Sequence, residues 1–135
     1  MGRDANHRMI QGRFEKEHLA STADLSGVGK GVPDIVVGYC GLTTLVEIKL
    51  PEGRRGGTAF SKLNHRQVGF HSKWRGMTPF VARTDADVDA IAARIERLGA
   101  VMREIESLPD DELESLALEL RQRFREGPSA SSLSA

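Results

Sequence analysis

The sequence predicts an α/β domain with a helical extension on its C-terminal side, and three observations carry that expectation. Residues 33–49 form two runs rich in β-branched and aliphatic residues around Cys40-Gly41, the pattern of a β-hairpin. Stretches with helical spacing of apolar residues precede and follow that hairpin, so helices alternate with strands. The chain has 135 residues, 39% of them hydrophobic, which supports one domain with a modest core.

Taken in order, the first element is a helix from Asp4 to about Leu19. Ile10, Phe14 and Leu19 form its apolar stripe, Met9 lies beside it, and Asp4 or Asn6 is its cap. A short strand within residues 21–26 leads into Ser26-Gly27-Val28-Gly29-Lys30-Gly31-Val32. That loop is not a Walker A motif, which needs four residues between its glycines and Ser or Thr after Gly-Lys. It is a candidate phosphate contact through backbone N–H groups, Ser26 and Lys30, or else a plain connection. After the hairpin, residues 51–60 hold three glycines and the pair Arg54-Arg55, a basic loop suited to a nucleic-acid backbone. Residues 61–74 read as a helix capped by Ser61 or Asn64, with Gln67, Phe70, His71 and Trp74 on one face and the aromatic pair in the core. Residues 79–83 read as a strand entered through a proline.

From Asp85 the character changes. Val88, Ile91, Ile95, Leu98, Met102 and Ile105 follow a heptad-like 3-4 spacing, which Gly99 weakens by about 1 kcal/mol relative to Ala. Leu108-Pro109-Asp110 ends that helix and caps another, with Leu113, Leu116, Leu120 and Phe124 as its stripe. This extension, residues 85–126, is expected to contact a second subunit or a protein partner. Residues 127–135 are Ser-rich and expected to be disordered.

The chemistry concentrates on the hairpin. Closing Tyr39 on Leu42 makes paired residue numbers add to 81, which sets Asp34 opposite Glu47 with Cβ atoms roughly 4.5–5.5 Å apart. Lys49 projects from the same side as Glu47, while Ile35, Val37, Val46, Ile48 and Leu50 point to the core. Two carboxylates about 5 Å apart repel by roughly 3 kcal/mol at an effective dielectric near 20. A divalent cation reverses that sign. Neighbouring carboxylates favour a protonated Lys49, and Gln67, one turn into its helix, is within reach of the same face.

Composition removes several alternatives. Cys40 is alone, so there is no disulfide framework and no cysteine-based zinc site. No apolar run is long enough to span a membrane, and no secretion signal opens the chain, so a cytoplasmic location is expected. Asn6 stands where myristoylation requires Ser or Thr. The zero net charge hides an asymmetry. Residues 1–83 hold 13 Lys and Arg against 7 Asp and Glu, and residues 84–135 hold 6 against 12. A basic body suits a polyanion.

Pro33-Asp34 followed by Glu47-Ile48-Lys49 resembles the motif of the PD-(D/E)XK nuclease superfamily. The longer runs Asp24-Leu25-Ser26, Gly31 to Gly38, Leu45 to Lys49, Gln67 to Gly76 and Val81 to Thr84 resemble the small stand-alone virus-type replication-repair nucleases of phages and prophages. The resemblance spans roughly residues 4–86. It implies a restriction-endonuclease-like core over residues 1–84, made of a helix, a mixed sheet with the motif hairpin, a helix and a strand. It further implies Mg²⁺- or Mn²⁺-dependent hydrolysis of DNA phosphodiester bonds. Asp34, Glu47 and the Ile48 carbonyl would hold the metal, Lys49 would position the water or offset developing charge, and Gln67 would support the site. Ser26, Lys30, Arg54, Arg55, Lys62 and Arg66 are the candidate DNA contacts. A homodimer acting on branched, junction or nicked DNA is the family expectation. Met9 falls where related enzymes carry a glutamate on the first helix, with Glu15 or Glu17 as substitutes. A catalytically weak DNA-binding or regulatory module is therefore one alternative, and a nuclease subunit of a larger phage or restriction complex another.

Overall fold

The hairpin forms as its spacing requires. In the computed structural model, which describes residues 3–51 and 62–126 apart from the side chains of Arg3 and Glu126, β2 (Ile35–Tyr39) and β3 (Leu42–Ile48) pair antiparallel. Their register runs from Tyr39 opposite Leu42 to Ile35 opposite Val46, the constant sum of 81. Cys40 and Gly41 close the turn with φ of 52° and 76°, the double left-handed conformation whose twist matches that of the strands. On the far side, β1 (Ser21–Asp24) pairs antiparallel with β2. β4 (Phe80–Ala82) joins β3 in parallel, giving a mixed four-stranded sheet in the order β1-β2-β3-β4. The fold is α/β, with four helices among the described residues.

Strand parity then decides what each face becomes. Ile35, Val37 and Val46 point to one side and are fully buried, with Ile10 and Phe14 of α1 (Arg3–Glu17) and Val88, Ile91 and Ile95 of α3 (Asp85–Glu106) in the same core. Each such side chain contributes roughly 1.5–3 kcal/mol through burial. The opposite face of β3 carries Glu47, and α2 (His65–Lys73) reaches it there through Gln67. Arg13 of α1 ties the first helix to the third through Asp89, with contacts of 2.8 and 3.1 Å, and His18 reaches the same carboxylate at 2.7 Å. Those partners hold the Asp89 carboxyl down at about 2, below the usual range.

Three local expectations change. Leu19 does not join the apolar stripe: the helix ends at Glu17, and Leu19 adopts φ 56° and is 85% exposed, while Ala20 takes the buried place. Neither Asp4 nor Asn6 is an N-cap, because both lie inside α1, and Asn6 is buried. The Phe70–Trp74 pair is not core. The rings stack at 5.1 Å, but Phe70 is only half-buried and Trp74 is 46% exposed.

The chain divides into two compact units, Met1–Gly99 and Ala100–Ala135. The apolar repeat after Asp85 therefore has two uses. Its first turns, Val88 to Ile95, complete the core of the first unit. Gly99, a flaw by helix propensity, has a packing reason: a Cβ there would stand 3.2 Å from the Cys40 carbonyl oxygen, so its absence lets α3 approach the hairpin turn. The second unit contains the end of α3 and all of α4 (Asp110–Glu126). Among the described residues, no helix is long and apolar enough to cross a membrane.

Candidate functional site

The site is built on the last residues of β3. Asp34 sits just before β2, one step beyond the final ladder pair, and its carboxylate takes over the pairing: Oδ2 accepts the Ile48 N–H at 2.8 Å. Its backbone carbonyl meanwhile accepts from Leu25 N at 2.7 Å. Asp34 is thus anchored at both ends of the residue. Glu47, across from it, is 0% exposed. Burial holds the Glu47 carboxyl well above the usual carboxylate range, with the nearby Asp34 charge adding to the effect and Lys49 opposing it. Lys49 Nζ lies 3.9 Å from Glu47 Oε1. The structure thus brings Asp34, Glu47 and Lys49 together.

Gln67 joins them, and its orientation has a local cause. Asn64 caps α2 by accepting the Gln67 N–H at 3.0 Å, and Gln67 Oε1 accepts the Asn64 N–H at 2.9 Å, a reciprocal capping box. With Oε1 committed to the cap, the amide turns its Nε2 donor to Glu47 Oε1. The signal for this was present in Asn64-x-x-Gln67, a capping-box spacing that serves the site as well as the helix.

Glu47 Oε2 is buried with no hydrogen-bond partner among the described residues. An orphaned carboxylate oxygen of this kind costs free energy unless something satisfies it. Hard oxygen donors from Asp34, Glu47 and the Ile48 carbonyl suit Mg²⁺ or Mn²⁺, which take carboxylates and keep several waters. Among the described residues no three His, Cys, Asp or Glu side chains form a metal cluster. The two carboxylates of Asp34 and Glu47, with the buried Glu47 Oε2 lacking a hydrogen-bond partner among the described residues, fit the chemistry of such an ion.

The first helix enters by a residue that sequence reasoning missed. Met9 packs against the apolar core, and Glu15 and Glu17 are exposed. Asn6, one turn earlier than Met9, is buried, and its Nδ2 donates to the Lys49 carbonyl at 2.7 Å while its Oδ1 has no partner among the described residues. Its signal was an asparagine inside a helix, where that residue is disfavoured unless bonded. Asn6→Leu removes the buried amide's hydrogen bond to the Lys49 carbonyl, and chemical denaturation should show a loss of about 1–3 kcal/mol. An unchanged midpoint would mean that the contact carries no stability.

The candidate DNA contacts divide. Gly31, at φ 80°, passes so close to the Arg66 carbonyl that a Cβ there would stand 2.3 Å from its oxygen. The loop bearing Lys30 therefore packs on the start of α2, beside Arg66 and Gln67, and both Lys30 and Arg66 are exposed. Lys62 is exposed just before that helix. Ser26 instead closes its own turn, donating its N–H at 2.8 Å and its hydroxyl to Asp24 Oδ1. Arg54 and Arg55 lie outside the described residues, as does the 127–135 tail. No protein-family model, curated protein or solved structure matches the chain.

Proposed function

We propose that the chain is a divalent-cation-dependent deoxyribonuclease of the PD-(D/E)XK type, hydrolysing phosphodiester bonds in branched, junction or nicked DNA. The observation that carries this reading is the convergence of Asp34, Glu47 and Lys49 on one face, with a buried Glu47 oxygen lacking a partner. Asp34, Glu47 and the Ile48 carbonyl would hold Mg²⁺ or Mn²⁺. When bound, such an ion polarises a phosphoryl oxygen and lowers the pKa of a coordinated water. Gln67 keeps the Glu47 carboxylate from rotating, and the Ile48 N–H does the same for Asp34. The Lys49 ammonium offsets negative charge that develops as water adds to phosphorus and the P–O bond to the leaving strand breaks. Lys30, Lys62 and Arg66 supply backbone contacts that position the DNA without reading its sequence.

Cleavage of a four-way junction, a nicked duplex and a linear duplex, each with Mg²⁺ or Mn²⁺, tests the proposal. The wild-type chain should cut at least one branched or nicked substrate, and Lys49→Ala should reduce the rate by about 100-fold or more. Absence of cleavage on every substrate with either ion would sink the reading. One observation favours a second reading, a DNA-binding module without catalysis: α1 meets this strand end through an amide, Asn6, while its described carboxylates Asp4, Glu15 and Glu17 are exposed. Metal-dependent binding of the same DNAs with no product would select it.

A further inference from the structure

The fold leaves uncovered an aromatic pair that the candidate site does not use. α2 buries none of its residues fully. On it Phe70 and Trp74 stack one turn apart, with ring centroids at 5.1 Å and planes 18° from parallel. The Trp74 backbone is held where the helix ends, its N–H donating to the Phe70 carbonyl at 2.9 Å. Gly76 makes room for the indole: a Cβ there would stand 2.5 Å from the ring nitrogen. The ring is thus fixed before anything binds, which lowers the entropy cost of a contact. One of its faces lies on Phe70, yet the residue is 46% exposed, so the other face is open to solvent.

Position and charge indicate what covers that face. Phe70 and Trp74 follow Gln67 at i+3 and i+7, on the side of α2 that carries the donor to Glu47. Trp74 lies about 10.5 Å along the helix axis from Gln67, the rise of seven residues. A stacked strand advances about 3.4 Å per nucleotide, so about three nucleotides separate the ring from the candidate site. Residues 62–83 hold Lys62, Arg66, Lys73, Arg75 and Arg83 and no Asp or Glu. At about 100° per residue, Arg66 and Lys73 fall together on the flank of α2 next to Phe70, and both are exposed. A flat apolar face bordered by cations alone matches a single strand of nucleic acid, whose backbone follows the charge while its bases stack on the ring. We propose that Trp74 is a stacking platform for an unpaired base of the strand whose phosphate enters the Asp34–Glu47 site, with Arg66 and Lys73 meeting the phosphates between. The inference rests on the deoxyribonuclease reading for the placing of that phosphate, and it narrows the substrate to DNA with a single-stranded arm or flap beside the cut. A fully paired duplex keeps both faces of its bases inside the stack and offers Trp74 nothing.

Trp74 is the chain's only tryptophan, so its emission reports the contact directly. In EDTA, where nothing is cut, a short oligothymidylate should quench that emission as it binds. A strand of equal length without bases should bind more weakly, by the anisotropy of a terminal dye, and leave the emission unchanged. Trp74→Ala should weaken oligothymidylate binding at least fivefold and leave the abasic strand as it was, and Trp74→Phe should recover most of the loss. Lys73→Ala should weaken both strands alike. Both positions are exposed, and circular dichroism checks that the fold persists. With Mg²⁺, Trp74→Ala should slow cleavage of a flapped duplex at least fivefold and spare a nicked one. Quenching without cleavage on any substrate would uphold the base contact and sink the nuclease reading by itself. Cleavage with an emission that DNA does not move would overturn the platform and leave the nuclease reading standing. Oligothymidylate that fails to bind, or binds no tighter than the abasic strand, would also overturn it. So would an emission that shifts with chain concentration in the absence of DNA, which marks a contact with protein.

Discussion

Replacing Glu47 with Gln is expected to abolish cation-dependent cleavage and, in the same protein, to remove a pH-dependent weakness of the fold. The variant keeps the carbonyl oxygen that Gln67 donates to, and it keeps the volume, so packing is preserved. What it loses is the charge that would hold an ion. Cleavage should fall by roughly 10³-fold, about 4 kcal/mol of barrier. On the proposed reading, Mg²⁺ at a hundred times its dissociation constant should add about 2.7 kcal/mol of stability to the wild type, and that gain should be missing in the variant.

The pH effect follows from burial. In the folded chain the Glu47 carboxyl, raised by burial, still holds its proton in a pH range where an unfolded glutamate has already lost it. Over that window the folded state binds more protons, so stability falls as pH rises. In EDTA, wild-type melting temperature should therefore drop as pH climbs above the ordinary carboxylate range, and Glu47→Gln should flatten the curve. Parallel curves for the two proteins would show that Glu47 is not the titrating group. Cleavage surviving in Glu47→Gln would remove it from the reaction altogether.

The second large effect is expected from Gly31→Ala, a change of one methyl group. At φ 80° an L side chain is strained, and the new Cβ would stand 2.3 Å from the Arg66 carbonyl oxygen and 3.1 Å from the Gln67 nitrogen. Neither obstacle is a flexible side-chain tip. Backbone strain and overpacking together should cost about 2–4 kcal/mol, measured by urea denaturation. The start of α2 must shift to make room, which loosens the Gln67 contact to Glu47 and should slow cleavage about tenfold or more. Gly29→Ala is the control. Its φ is 75°, with nothing within 4 Å of the added carbon, so it carries the conformational cost of about 1–2 kcal/mol alone. Equal losses for the two variants would mean that the close approach of loop and helix has no energetic weight.

Much of the hairpin could be read from the chain because its determinants are local. Alternation along residues 35–39 and 42–48, and a turn at Cys40-Gly41, are enough to set a register in which a one-residue slip would bury the wrong face. The helix breaks at Leu108-Pro109 and the stripe on α4 are local in the same sense. Other features were legible only in part. Gln67 could be placed on a face by helical spacing, but its committed amide depends on Asn64 and on a strand twenty residues earlier in the chain.

The amino-acid order by itself determined an α/β domain, the pairing that opposes positions 34 and 47, and the acidic helices that follow. Only the folded chain decided that Glu47 is sealed from water, that Asn6 rather than Met9 meets the motif strand, and that Gly31 and Gly99 are contact points. It also gave the first half of the long helix to the core instead of to an appendage. The physical reason is one of range. Side-chain direction within a strand or helix follows from backbone geometry a few residues long, whereas burial and close approach depend on which distant segment arrives to cover the residue.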